Sequence, residues 1–186
     1  IGSFLVEKGL ELGYDVWAGI RKGSSRRYLS DARINFVELD FSSSAALDAS
    51  LSAFKADKGC WDYIIHAAGV TKCTDKKEFM KVNYEGTRNF ADAIARQGME
   101  PRMFVYISSL SVFGPVREEM PYTPIMESDT PMPDTVYGKS KLLAEEYLKK
   151  SAGFPFVILR PTGVYGPRER DYFKMAAGIK RHIDFS

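Results

Sequence analysis

Tyr137 and Lys141 stand four residues apart in the run Tyr137-Gly138-Lys139-Ser140-Lys141. On a helix that spacing puts both side chains on one face, a turn apart. A phenol beside an ammonium can move a proton. A free tyrosine titrates at about 10, and a neighbouring cation favours the phenolate. The same line runs on through Ala144 and Leu148, both apolar. A lysine on a line that otherwise reads as buried is out of place unless its charge is needed there. The plain alternative is a helix carrying a tyrosine and a lysine whose stem lies along apolar surface. The five residues by themselves do not choose.

Further candidates end short apolar runs. Ser108 and Ser109 follow one such run and put hydroxyls at the edge that Tyr137 faces, although a serine pair is also ordinary turn chemistry. His66-Ala67-Ala68-Gly69 ends another, and its small residues let a flat or phosphorylated ligand approach the backbone. His66 itself reads as a satisfied core histidine. Asp40 follows a third run, where a short carboxylate can accept from an adenine amino group or serve as a helix cap or turn. Arg21, with Lys22, Arg26 and Arg27 close behind, holds the place where an NAD site carries an acid for the ribose 2′-hydroxyl. An acid would repel a 2′-phosphate, whereas a guanidinium binds it through two charge-assisted hydrogen bonds. NADP is therefore taken ahead of NAD, the alternative being a solvated loop. Gly2 would be the last glycine of a dinucleotide fingerprint if a strand and a glycine-rich turn stood before it.

These residues need a scaffold, and the hydrophobic pattern supplies one. Ile1, Phe4, Leu5 and Leu12 predict a helix over 1–12 that stops at Gly13. Strands are predicted at Tyr14–Ile20, Ile34–Leu39, Asp62–His66, Met103–Ser108 and Phe156–Arg160, the last stopped by Pro161. Helices are predicted over 44–55, 76–97 and 134–151, with another from about Glu169, and a Pro-rich loop over Gly114–Pro133. Strands alternate with helices, and several strands are continuous apolar runs. That is the pattern of an α/β protein with a doubly wound parallel sheet covered on both faces. Ligands bind such folds at the carboxyl ends of the strands, which is where the candidates lie.

The totals exclude other classes. With 186 residues the chain is one domain or a little more, and with 27% charged residues and a net charge of +2 it predicts neither a nucleic-acid surface nor a disordered tail. Cys60 and Cys73 have no metal-ligand spacing and form no disulfide framework, so no metal is expected and the cytoplasm is the expected compartment. No apolar run reaches the length of a membrane span, and no signal peptide is read. The chain opens at Ile1 inside a helical pattern and is expected to be a fragment.

Six segments in order resemble one family: Asp40-Phe41, His66-Ala67-Ala68-Gly69-Val70, Val82-Asn83-Tyr84-Glu85-Gly86-Thr87, Ser108-Ser109-Leu110-Ser111-Val112-Phe113-Gly114, the Tyr137–Lys141 run, and Leu159-Arg160-Pro161-Thr162-Gly163-Val164-Tyr165-Gly166-Pro167. The chain resembles the extended short-chain dehydrogenase/reductases, which include nucleotide-sugar epimerases and dehydratases, 3β-hydroxysteroid dehydrogenases and dihydroflavonol reductases. The resemblance implies a Rossmann-type domain over 1–166, lacking its first strand, and the start of a substrate-binding lobe over 167–186. It implies that Tyr137 is the acid/base, that Lys141 binds the nicotinamide ribose, and that Ser109 hydrogen-bonds the reacting oxygen, with Ser111 a second hydroxyl nearby. Asn83 matches an active-site asparagine. Gly2, Arg21, Asp40, Phe41, Ala67, Ala68, Gly69, Ile107, Tyr137, Lys141, Pro161 and Val164 fall along the cofactor, the last two at its nicotinamide end.

Two departures stand out. The glycine-rich turn is missing apart from Gly2. Gly163 stands where epimerases often carry an asparagine on the substrate diphosphate, which draws the chain toward the reductase and steroid-dehydrogenase branches. The function expected is an NAD(P)-dependent oxidoreductase on an alcohol/carbonyl pair. The alternatives are a nucleotide-sugar epimerase or dehydratase and a non-catalytic NAD(P)-sensing protein, the last disfavoured by Ser109, Tyr137 and Lys141 standing together. A homodimer is expected through the helices at 76–97 and 134–151, with Phe79, Phe90, Ile94, Leu142 and Tyr147 as apolar candidates.

Overall fold

The structure, a computed structural model, describes residues 1–115 and 123–182. Part of the Pro-rich loop and the last residues of the expected second lobe lie outside them. Five strands form: β1 (Trp17–Ile20), β2 (Asn35–Glu38), β3 (Tyr63–His66), β4 (Met103–Ile107) and β5 (Phe156–Leu159). Around them lie α1 (Gly2–Glu11), α2 (Ser44–Lys58), α3 (Lys77–Phe79), α4 (Gly86–Arg96), α5 (Val136–Ser151) and α6 (Asp171–Lys180). Side-chain caps place the starts of two helices. Ser43 accepts from the Ala46 N–H at the start of α2, and Thr135 from the Gly138 N–H at the start of α5, satisfying donors that a helix N-terminus leaves over.

All strand pairs are parallel, as the apolar runs predicted, but they make two sheets rather than one. β1 pairs with β2, and β4 lies between β3 and β5, with Ile64 opposite Phe104 and Phe104 opposite Phe156. A doubly wound sheet of order 3-2-1-4-5-6 with strand 1 left out has this two-plus-three division. The expectation of cover on both faces holds for the two-stranded sheet, where Val37 joins the main core and Ala18 and Phe36 pack with Val6 and Leu10 of α1, and for one face of the three-stranded sheet. Ile64, His66, Phe104 and Tyr106 point into the core with Phe90, Ala91 and Ile94 of α4 and Ala144 and Leu148 of α5. On the other face of the three-stranded sheet Tyr63, Ile65, Val157 and Leu159 stay exposed. The core explains the fate of two dimer candidates: Phe90 and Ile94 are buried inside this chain, leaving Phe79, Leu142 and Tyr147 half-buried.

The long helix predicted over 76–97 is interrupted. Between α3 and α4 the residues Met80–Glu85 form a π-helix, with Asn83 inside it. Such wider turns are concentrated at functional sites. Here the turn faces α5.

Candidate active site

The site is built where β3, β4 and β5 end and α5 begins. After β4 the chain passes Ser108 and Ser109 into a short 3₁₀ turn at Leu110–Phe113. The Ser109 hydroxyl accepts from the Ser111 N–H at 3.2 Å and donates to the Ser111 hydroxyl at 3.1 Å. Ser109 and the second hydroxyl expected near it, Ser111, are therefore linked. A Cβ on Gly138 would run into the Ser111 carbonyl oxygen, so glycine is what lets the first turn of α5 close on this loop. Sequence reading gave Gly138 no role. Tyr137, beside it, is half-buried and packs edge-on against Phe79 with ring centroids 5.8 Å apart.

Lys141 is 4% exposed, as the apolar line of α5 foretold. Its Nζ donates to the Ile107 carbonyl at 2.6 Å and lies 4.4 Å from the centre of the Tyr106 ring. Burial pulls its pKa down from 10.5 to about 8, against the opposing pull of Glu145. One turn further along α5, Glu145 is completely buried. It accepts from the Ser108 hydroxyl at 2.5 Å and from Arg160 at 3.0 Å through Nε and 2.6 Å through a terminal nitrogen. Arg160 also lies over the Phe113 ring at 4.7 Å. Neither Glu145 nor Arg160 was singled out from sequence, although 145 is the next i+4 position after 141.

Asn83 is also fully buried. Its Oδ1 accepts from the Val70 N–H at 2.8 Å, while its Nδ2 donates to the Val70 carbonyl at 3.0 Å and to Ser140 Oγ at 3.1 Å. It thus ties the loop after β3 to α5. A Cβ on Gly69 would lie 2.9 Å from Asn83 Oδ1 and 4.0 Å from Lys141 Nζ, so that loop comes close because it carries no side chain there. Beneath it, Thr87 gives its hydroxyl proton to the Asn83 carbonyl at 2.7 Å, which makes His66 Nε2 the protonated nitrogen in its 3.0 Å contact with Thr87. Burial, helped by Lys141, pulls His66 down to about 3, and the imidazole is neutral. This agrees with the core reading of His66.

The residues expected along a cofactor divide into two groups. Ile107, Pro161 and Val164 line one apolar cleft of about 510 Å³ together with Leu159, Arg160, Ile1 and Leu5 of α1. Ala67, Ala68 and Gly69 are exposed, Gly69 beside Lys141. Arg21, Asp40 and Gly2 form the second group and are exposed. Arg21 has a backbone bond to Ser24 Oγ and no side-chain partner among the described residues, while Arg26 and Arg27 lie over the rings of Phe36 and Tyr28. Asp40 is held below the usual carboxylate range by hydrogen bonding with the Ser42 side chain and with its N–H, a turn role. The helix cap is Ser43 instead. Phe41 packs its ring against Phe90 at 5.7 Å. A Cβ on Gly2 would meet nothing within 4 Å among the described residues. Small residues, a buried cation and an apolar cleft fit the nicotinamide half of a dinucleotide. The exposed Arg21 and Asp40 fit its adenosine half. Among the described residues no group of three or more acidic, histidine or cysteine side chains suits a metal, and no helix is long and apolar enough to cross a membrane.

Parallel β/α order, a buried lysine one helical turn from a tyrosine and an apolar cleft thus come together at the carboxyl ends of β3, β4 and β5. The NAD dependent epimerase/dehydratase family model matches residues 1–183, and the chain belongs to that family. A 3 beta-hydroxysteroid dehydrogenase type 7 from Mus musculus is 38% identical over 117 residues, which cover 55% of this chain and 31% of the relative. A UDP-glucose 4-epimerase from Vibrio cholerae is 34% identical over 113 residues, covering 56% and 33%. The crystal structure of UDP-glucuronic acid 4-epimerase from Bacillus cereus in complex with NAD matches with a TM-score of 0.75 at 24% identity, over 98% of this chain and 61% of that one. The last likeness bears on fold. The matched part of this chain spans about a third of the length of those two curated relatives.

Proposed function

We propose that this chain forms the cofactor-binding and proton-transfer part of an NAD(P)-dependent oxidoreductase acting on an alcohol/carbonyl pair. The observation that carries the reading is Lys141, buried to 4% exposure, with its ammonium on the Ile107 carbonyl one turn from Tyr137. A charge is costly to bury, and a site that needs a fixed cation gives a reason to keep it. In this reading Tyr137 holds the proton for the reacting oxygen and Ser109 hydrogen-bonds that oxygen. Lys141 holds its charge beside the phenol and bonds the ribose. Asn83 positions the Gly69–Val70 loop against which the cofactor lies. Ile107, Pro161 and Val164 keep water from the nicotinamide end. When bound, the nicotinamide supplies or takes the hydride.

Ala67, Ala68 and Gly69 lie against the nicotinamide half; at the other end Gly2, Asp40 and Phe41 take the adenosine half, and the exposed Arg21 favours a 2′-phosphate. NADP is the proposed cofactor and NAD the second choice. Two observations bear on the substrate. Tyr172 puts its hydroxyl where any side chain at position 163 would stand, which supports the dehydrogenase/reductase branch. The second reading, a nucleotide-sugar epimerase or dehydratase, draws on the Vibrio cholerae relative. A homodimer through the outer faces of α4 and α5 remains part of the proposal, resting on Phe79, Leu142 and Tyr147. A single protomer mass in sedimentation at micromolar concentration would refute it.

The test is the intact protein with NADPH or NADH and a panel of carbonyl compounds and nucleotide sugars. Loss of nicotinamide absorbance with a carbonyl supports the proposal. A new sugar epimer without net loss of the reduced cofactor supports the second reading. Tight cofactor binding without turnover would point to a sensor.

A further inference from the structure

The Glu145–Arg160 pair is the least expected feature of the interior. An ion pair taken out of water is often no more stabilising than apolar side chains of the same volume. Its position suggests another use. Glu145 lies on the α5 face that carries Tyr137 and Lys141, at successive i+4 steps. Through Ser108 it holds the first residue after β4, next to Ser109; through Arg160 it holds the first residue after β5, next to Pro161. The two loops are also joined by their backbones, Ser108 N–H to the Leu159 carbonyl at 2.7 Å and Leu110 N–H to the Pro161 carbonyl at 2.9 Å. One carboxylate therefore sits at the joint of the three segments that bear the proton-transfer residues and the nicotinamide wall.

Charge points the same way. Around Lys141 stand His66 from β3, Tyr106 from β4, Tyr137 and Glu145 from α5, and Arg160 beyond Glu145 at the end of β5. His66 is neutral, and burial pushes the Tyr106 phenol up, so it is neutral too. Lys149, also on α5, reaches Glu145 at 3.8 Å from the solvent side. Of these groups, Glu145 is the one carboxylate, ion-paired with Arg160 at 2.6 Å.

We propose that Glu145, fixed by Arg160 and Ser108, is a positioning residue for the Tyr137–Lys141 pair: it sets where α5 stands against the two loops, and its charge offsets the Lys141 ammonium. The proposal rests on the oxidoreductase reading for what the pair does, but its test does not need turnover. Its second half accords with the opposing pull of Glu145 on the lysine, which burial alone would lower further.

The experiment follows Lys141 itself, by NMR titration of ¹³C-labelled lysine side chains in the intact protein, with Lys141→Met used to assign the signal. Three variants are compared: Glu145→Gln, Arg160→Met, and the double variant Glu145→Met with Arg160→Met, which replaces both charges by apolar volume. Glu145→Gln and the double variant should lower the Lys141 midpoint by about one pH unit, the lower end of what a nearby opposite charge contributes. Arg160→Met keeps the carboxylate, so its midpoint should hold or rise. The double variant should also keep a thermal midpoint near that of wild type. A folded double variant with an unmoved Lys141 midpoint would overturn the proposal, as would an equal fall in Arg160→Met. If neither Glu145 variant folds, the pair is a fold element and the proposal falls. Turnover is read in parallel: wild type without any would defeat the functional reading, and the titration would still judge the charge.

Discussion

The two ends of the expected cofactor path differ in how the protein holds them. At the Tyr137 end the polar side chains are interlocked and buried: Lys141 on Ile107, Asn83 on Val70 and Ser140, Glu145 on Ser108 and Arg160. At the Arg21 end the chain makes local turns, Arg21 with Ser24 and Asp40 with Ser42, and the charged groups face solvent. Chemistry needs groups fixed before the substrate arrives, because orientation lost there is lost from the barrier. Choice between two cofactors needs just one favourable contact, which an exposed loop can offer. The contrast leads to predictions of different size at the two ends.

Lys141→Met should have the largest effect, and of two signs. Turnover should collapse. Stability should rise, by up to about 3 kcal/mol at neutral pH, because the folded pKa of about 8 lies well below the unfolded value of 10.5. A lysine whose folded pKa is depressed binds fewer protons in the native state between those two values, so wild type gains stability as pH rises through them. The advantage of the variant should therefore be full below pH 8 and fade toward 10.5. Urea unfolding at several pH values checks the sign. A variant less stable than wild type at pH 7 would break the contrast at its strongest point.

Asn83→Ala comes next. It leaves the Val70 N–H and carbonyl and the Ser140 hydroxyl short of a partner, and an unsatisfied buried group costs about 1–3 kcal/mol. We expect a loss of about 2 kcal/mol in chemical denaturation, with weaker cofactor binding as the Gly69 loop loosens. No loss in either would mean that the loop is held by other contacts.

The smallest effect is at the open end. Arg21→Asp should reverse a preference for NADPH over NADH by about tenfold, the low end of what a hydrogen bond to a charged group contributes, since the loop is solvated. Salt should weaken NADPH binding more than NADH binding, as exposed phosphate contacts are screened. Equal dissociation constants for the two cofactors, unchanged in Arg21→Asp, would remove Arg21 from the account.

What sequence made legible follows from locality. The Tyr137–Lys141 step is an i,i+4 relation, and the β/α alternation is written in apolar runs. Both survive in the structure. Asn83 was singled out, but its partners across the fold were not, because they depend on a π-helix that no residue pattern marked. Glu145 was passed over because an acid between Ala144 and Leu148 reads as surface, and its partners lie far along the chain, just past the ends of β4 and β5. The division of the sheet and the bare face of Ile65 and Val157 are likewise matters of which strands meet. Phe90 and Ile94 read as interface candidates because an apolar helix face does not say whether it meets its own sheet or a second chain.

The account stands or falls on Tyr137. Tyr137→Phe removes the phenolic oxygen and keeps the ring that packs against Phe79. The measurement pairs a cofactor dissociation constant with a turnover number in the intact protein. The dissociation constant should stay within a factor of about two, because only the phenolic oxygen is removed and the other cofactor-binding residues are kept, while turnover falls by about 10²–10⁴, the range of general acid–base catalysis. Turnover within a few-fold of wild type would contradict the assignment of the proton-transfer residue.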